Sequence, residues 1–270
     1  MEHSSLLLAF ALTLGAGLAT GVGSTLAFFS RGANPKFLSG ALGFSAGVMI
    51  YVSFMEILPK ARASLVEPLG LQMGSWLTVG AFFTGIACIA TIDALVPSYE
   101  NPHEAHRIEA LSDEAQSAAY QKLLRTGMFT ALAIAIHNFP EGLATFIATL
   151  EDPHLGLPIA TAIAIHNIPE GIAVSVPLYY ATGSRSKAFF FSLFSGVAEP
   201  LGAGVGYLLL MPFFNDMTFG VLFAGVAGLM VYISMDELLP TAEEYGEHHI
   251  AMGGLVLGML VMAFSLLLFL

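Results

Sequence analysis

The chain has 270 residues, 56% hydrophobic and only 11% charged, with a net charge of −11. That composition excludes a soluble globular domain and leaves a polytopic membrane protein. A single cysteine, Cys88, excludes a disulfide framework, and its place inside an apolar stretch assigns it to packing.

Eight apolar stretches reach the length, about 20 residues at 1.5 Å per residue, that a helix needs to cross a bilayer core of about 30 Å. They run about Leu6 to Phe29, Phe37 to Leu58, Met73 to Val96, Gly127 to Leu150, Leu157 to Tyr180, Ala188 to Met211, Phe219 to Leu239 and Ile250 to Leu270. The leader before the first stretch lacks a basic region and the apolar run is too long for a signal peptide, so this span is expected to stay. The fold class is therefore an all-α membrane protein, one domain over residues 1–270.

Seven of the nine Lys and Arg residues lie on odd-numbered connections: Arg31 and Lys36, then Arg107, Lys122 and Arg125, then Arg185 and Lys187. By the positive-inside rule these connections face the cytoplasm, and with eight spans both termini lie outside. The one long connection, about Pro97 to Arg125, holds Asn101-Pro102-His103-Glu104-Ala105-His106 and then an amphipathic segment through Leu123. It reads as a cytoplasmic solvated linker, a weak metal collector being the alternative.

The fourth and fifth stretches each carry one polar hexapeptide, His137-Asn138-Phe139-Pro140-Glu141-Gly142 and His166-Asn167-Ile168-Pro169-Glu170-Gly171. A carboxylate at the bilayer centre costs roughly 2.5 to 3.5 kcal/mol, so such residues face a protein interior or a watery path and carry function. Residues four apart share a helix face, which places His137 over Glu141 and His166 over Glu170, with Asn138 and Asn167 on the adjoining flank. Each glutamate can then hold one metal with the histidine and reach a second with the asparagine. Pro140 and Pro169 free the carbonyls of Ile136 and Ile165, which adds oxygen donors.

The sixth stretch adds Glu199, and all these groups lie roughly 14 to 17 Å into their spans, at the midplane. Imidazole, carboxylate and amide ligands without thiolate suit Zn²⁺, Fe²⁺, Mn²⁺, Co²⁺ and, as an intruder, Cd²⁺, and argue against copper(I).

Two internal repeats organise the chain. Ile134 to Ala144 aligns with Ile163 to Ala173, and Gly47 to Pro59 aligns with Gly228 to Pro240. The paired spans cross in opposite directions, so stretches one to three read as an inverted copy of six to eight, with four and five paired at the centre, which is a secondary-transporter signature. Small residues four apart at Gly43 and Gly47, Gly202 and Gly206, and Gly254 and Gly258 read as helix-packing contacts. Glu56, Asp236 and Glu237 at span ends, with Glu243, Glu244, Glu247, His248 and His249 beyond, are either relays or solvated helix ends. Met49 and Met230 lie deeper; both read first as packing, with Met49 the stronger candidate for a soft-ion site.

The doubled His-Asn-(Phe/Ile)-Pro-Glu-Gly motif, Ala198-Glu199-Pro200, and the region from Ile92-Asp93 to Asn101-Pro102-His103-Glu104 resemble the ZIP family of divalent-metal transporters, most closely its bacterial zinc transporters, over essentially the whole chain. The resemblance implies eight helices with outside termini, a multi-pass protein of the bacterial inner membrane, and metal uptake into the cytoplasm. It also implies one metal site on His137, Glu141, His166 and Glu170, lined by Met49, and a neighbour on Asn138, Glu141, Asn167, Glu170 and Glu199. No resident cofactor is required and no nucleic-acid partner is expected; the partners are the transported ions and the bilayer, and a homodimer is left open.

Three rivals stand beside this reading, of which a metal-sensing or structural membrane protein is disfavoured by the midplane position of the polar groups. A metal-selective channel differs from a carrier only in flux behaviour. An intramembrane metalloenzyme would need a His-Glu-x-x-His or a doubled Glu-x-x-His pattern, and the order here is His-x-x-x-Glu with proline inside.

Overall fold

A computed structural model describes residues 3–27, 35–95, 113–151, 153–210 and 215–268, and every regular element among them is helical. Lipid favours this outcome, because a helix satisfies its own backbone where no water can. The elements are α1 (His3–Ala27), α2 (Pro35–Val52), α3 (Leu58–Leu95), α4 (Asp113–Glu151), α5 (Pro153–Thr182), α6 (Arg185–Val205), α7 (Asp216–Ile233), α8 (Leu239–Tyr245) and α9 (His248–Leu267).

Among the described residues, six helical stretches are long and apolar enough to cross a membrane. One of them, Pro35–Ile92, has 58 residues, nearly three times the length a single crossing needs. It is not one rod. Gly70 takes φ +77°, a left-handed conformation that glycine adopts without steric cost. Beyond it the Arg62 guanidinium donates to the Ser75 hydroxyl at 3.1 Å, whereas thirteen residues along a straight helix would separate them by about 20 Å. The two arms of α3 therefore fold back on each other, and Gly74 sits directly on the Leu65 carbonyl. The sequence places a connection between Leu58 and Met73; the helix instead runs through most of it and turns at one residue. α4 is not among the six, and it carries His137, Asn138 and Glu141 in its centre.

The helices group as two bundles. α1, α4, α5 and α6 pack together, and α2, α3, α7 and α9 form the second, with α2 against α5 and α4 against α7 joining them. Within the first, α1 lies on α5 as α6 lies on α4; within the second, α2 lies on α9 as α7 lies on α3. Gly43 and Gly47 rest on the Ala251 and Leu255 carbonyls, while Gly254 and Gly258 rest on those of Gly40 and Phe44. The packing role read from small-residue spacing is what these contacts perform.

Of the three π-turns among the described residues, Gly206–Leu210 follows α6, while Ser53–Ile57 after α2 and Ser234–Leu238 after α7 fall at matching positions of the second sequence repeat. In each of the matching two, the serine hydroxyl donates to the carbonyl four residues back, Ser53 to Met49 at 2.7 Å and Ser234 to Met230 at 2.8 Å. The backbone N–H of the following leucine reaches back five residues to the serine carbonyl. Such turns widen a helix by one residue and collect at functional sites.

One sequence reading needs correction. Cys88 does not pack in the interior: it is exposed, on the outer face of α3 with Thr84 and Thr91, because Phe82, Gly85 and Ile89 supply the face that meets the neighbouring helices. The motif around His103 and the odd-connection residue Arg107 lie outside the described residues. Lys36 pairs with Glu247 at 2.8 Å and so ties the first odd connection to the last.

Adjacent glycines of α9 test the packing. A Cβ at Gly253 meets open space, while one at Gly254 collides with the Gly40 carbonyl. Gly253→Ala should raise the unfolding midpoint of detergent-purified protein slightly, since alanine gains about 0.5–1 kcal/mol over glycine within a helix. Gly254→Ala should lower it, by the roughly 1–3 kcal/mol typical of overpacking.

Candidate metal site

The polar residues of α4, α5 and α6 meet inside the first bundle. Helices α4 and α5 run on unbroken through Pro140 and Pro169. α6 comes close enough to α4 that Gly142 sits on the backbone of Glu199 and Gly202 on the Phe139 carbonyl. Any side chain larger than hydrogen at either glycine would push Glu199 away from the pair of motifs. Ser45 of α2 donates to the Pro169 carbonyl at 2.7 Å, which ties the second bundle to the same level.

His137, Asn138, Asn167, Glu170 and Glu199 are all completely buried, and Glu141 is 5% exposed. His137 Nε2 lies 2.9 Å from Glu170 Oε1. Asn167 Nδ2 donates to the Ala16 carbonyl at 2.9 Å and to the Glu199 carboxylate. Asn138 Nδ2 donates to the Ser195 carbonyl at 3.2 Å. Since both amides spend their N–H groups on backbone carbonyls, their oxygens turn the other way. Glu199 also lies within electrostatic reach of Glu141 and Glu170.

The remaining atoms define the chemistry. Asn138 Oδ1, Asn167 Oδ1, Glu170 Oε2 and Glu199 Oε2 are buried and have no hydrogen-bond donor among the described residues. An unsatisfied buried acceptor costs about 1–3 kcal/mol, more when charged. Four oxygen acceptors with no donor, beside an imidazole, are a donor set for a hard or borderline cation. Among the described residues no three His, Cys, Asp or Glu side chains form a ready-made metal cage; His137 pairs with Glu170 and Asn167 with Glu199.

Sequence spacing pairs each histidine with the glutamate of its own helix, whereas the hydrogen bond formed by His137 crosses to Glu170 of α5. The backbone of His166 lies one turn before Glu170, and its side chain is outside the described residues. Met49 is fully buried in the apolar core around α2, as is Met230 in α7. Glu56 sits in the first π-turn and pairs with Lys60, while Asp236 and Glu237 sit in the second. His248 meets Glu243 at 2.8 Å on the exposed rim. The carbonyls of Ala16 and Ser195 and the Ser45 hydroxyl are contributors that motif reading misses, because a backbone carbonyl leaves no mark in sequence.

Residues 98–266 match the family described as ZIP Zinc transporter. The chain belongs to the ZIP family. It is thereby a transporter rather than an enzyme, and the metalloenzyme reading falls away. The zinc transporter ZupT of Chlorobaculum parvum is 63% identical over 98% of this chain and 99% of its own length. That of Nitratidesulfovibrio vulgaris is 61% identical with full coverage of both, and that of Clostridium perfringens 57% identical over 98% and 97%.

Replacing Asn167 by leucine leaves the Ala16 carbonyl and a Glu199 oxygen without their donor. The metal-free protein should lose about 1–3 kcal/mol of stability. A lower unfolding midpoint in chelator, compared with wild type, is the measurement.

Proposed function

We propose that this chain carries divalent transition-metal ions, zinc foremost, across the bacterial inner membrane into the cytoplasm through a binuclear site between α4, α5 and α6. The observation that carries the reading is the set of buried oxygens on Asn138, Asn167, Glu170 and Glu199 that, among the described residues, have no donor, beside the His137–Glu170 pair. Relatives near 60% identity over the full chain that bear the name zinc transporter support the cargo. Ferrous iron, manganese, cobalt and cadmium are weaker or competing substrates under the same ligand chemistry.

Eight spans follow if Pro35–Ile92 counts as two arms meeting at Gly70 and α4 counts as a span despite its polar centre. The reciprocal helix pairings and the matched π-turns support an inverted repeat, with spans one to three related to six to eight and α4 related to α5. Positive connections then lie inside and both termini outside. In this reading Glu141 and Glu170 bridge the two ions. His137 and His166, with Met49 as a lining group, complete one site, while Asn138, Asn167 and Glu199 complete the other.

The bridging role gives a sharp contrast among single variants. Glu141→Ala or Glu170→Ala removes a ligand from both sites, and zinc uptake into proteoliposomes should fall close to background. Glu199→Ala leaves the histidine site assembled, so bound zinc should persist while the rate, or the preference between zinc and iron, changes. The reading is wrong if Glu199→Ala loses all metal while Glu141→Ala keeps both ions. Uptake that saturates with zinc supports a carrier; a linear response to the gradient would favour a pore.

A further inference from the structure

One position in α1 stands where the geometry calls for a further carboxylate. Three pairs of contacts relate α1 with α5 to α6 with α4. Gly142 sits on the Glu199 backbone as Gly171 sits on that of Thr20; Gly202 meets the Phe139 carbonyl as Gly23 meets that of Ile168. Asn138 donates to the Ser195 carbonyl as Asn167 donates to that of Ala16. The α4 and α5 members differ by 29 positions in every pair, and the α1 and α6 members by 179, so one ungapped alignment accounts for all three. It sets Ala16-Gly-Leu-Ala-Thr20-Gly-Val-Gly23 against Ser195-Gly-Val-Ala-Glu199-Pro-Leu-Gly202, with Gly17 and Gly196 in mutual contact. Thr20 is the counterpart of Glu199.

Thr20 is fully buried, and its hydroxyl proton is spent on the Gly17 carbonyl at 2.7 Å. It offers the centre no charge. We propose that Thr20 is a specificity-determining position, a ligand place left without its carboxylate, which holds the site at three carboxylates. The inference rests on the binuclear reading. Three carboxylates opposite two divalent ions leave one net positive charge, whereas a fourth would neutralise the pair. Ligand charge count sets how tightly an oxygen site holds its ion. A site meant to pass ions on gains from the missing charge, and a glutamate at position 20 would turn a passage into a store.

The test moves the carboxylate across the axis. Full-length wild type, Glu199→Thr, Thr20→Glu and the double exchange Thr20→Glu/Glu199→Thr are purified, loaded with zinc and desalted, and bound zinc per chain is measured beside uptake. Wild type should hold two ions and Glu199→Thr one, and the double exchange should return to two. Thr20→Glu should hold two and release them about tenfold more slowly or worse, with uptake reduced in step. If Glu199→Thr keeps both ions, the assignment of the second site fails whatever position 20 does. If Glu199→Thr holds one ion and a monodisperse double exchange also holds only one, the equivalence of Thr20 and Glu199 is overturned. A smaller replacement guards against misfolding: Thr20→Cys in a Cys88→Ser background should give a sulfur-to-cadmium charge-transfer band in the ultraviolet when Cd²⁺ is added. A folded protein without that band also overturns the inference.

Discussion

A carboxylate oxygen buried in a lipid-embedded helix bundle needs a positive partner, and several buried oxygens here have none among the described residues. Among the described residues, one oxygen of Glu170, one of Glu199 and the amide oxygens of Asn138 and Asn167 have no donor, the amide N–H groups being held by the Ser195 and Ala16 carbonyls. Burial without a donor is costly in any protein and more so where water cannot enter. That cost makes sense when a cation passes through and collects those lone pairs. The close helix contacts at Gly142 and Gly171, the tie from Ser45 and the pairing of His137 with Glu170 all serve to keep the oxygens at one depth.

The two-bundle arrangement gives the site its setting. Every proposed ligand except Met49 comes from α4, α5 and α6, inside a bundle completed by α1, and the other four long helices meet it chiefly through α2 and α7. Each of those two helices ends in a π-turn, with Glu56 in one and Asp236 and Glu237 in the other. A π-turn stores no large energy, but it lets a helix change register by one residue with little loss of hydrogen bonding. It occurs here at equivalent places, after α2 and after α7.

Much of this was legible before any coordinates. Lipid forces each span into a helix, so length and hydropathy locate the helices, and a polar hexapeptide repeated inside two spans marks the site because its cost demands a function. Spacing along one helix gives which side chains share a face. It says nothing about rotation between helices, which is why the bond from His137 to Glu170 came only with the packing. The reversal at Gly70 falls inside the connection that the sequence places between Leu58 and Met73, near Pro68; what hydropathy does not give is that helix runs up to a single left-handed glycine on either side. Cys88 was misread for a similar reason: hydropathy finds a span but not the side that faces lipid. The counterpart relation of Thr20 and Glu199 was present in sequence yet too weak to see, since two shared glycines and one shared alanine in eight positions are commonplace in membrane helices. Backbone contacts made it visible.

The central claim is that two ions share Glu141 and Glu170 at the middle of the bundle. Anomalous diffraction at the zinc absorption edge, from crystals of the full chain grown with zinc, tests it without reference to activity. The account predicts two neighbouring peaks between α4 and α5, one toward His137 and one toward Glu199, both in contact with the two bridging carboxylates. A single peak away from those glutamates, or zinc found only on the exposed His248 and His249 rim, would contradict it.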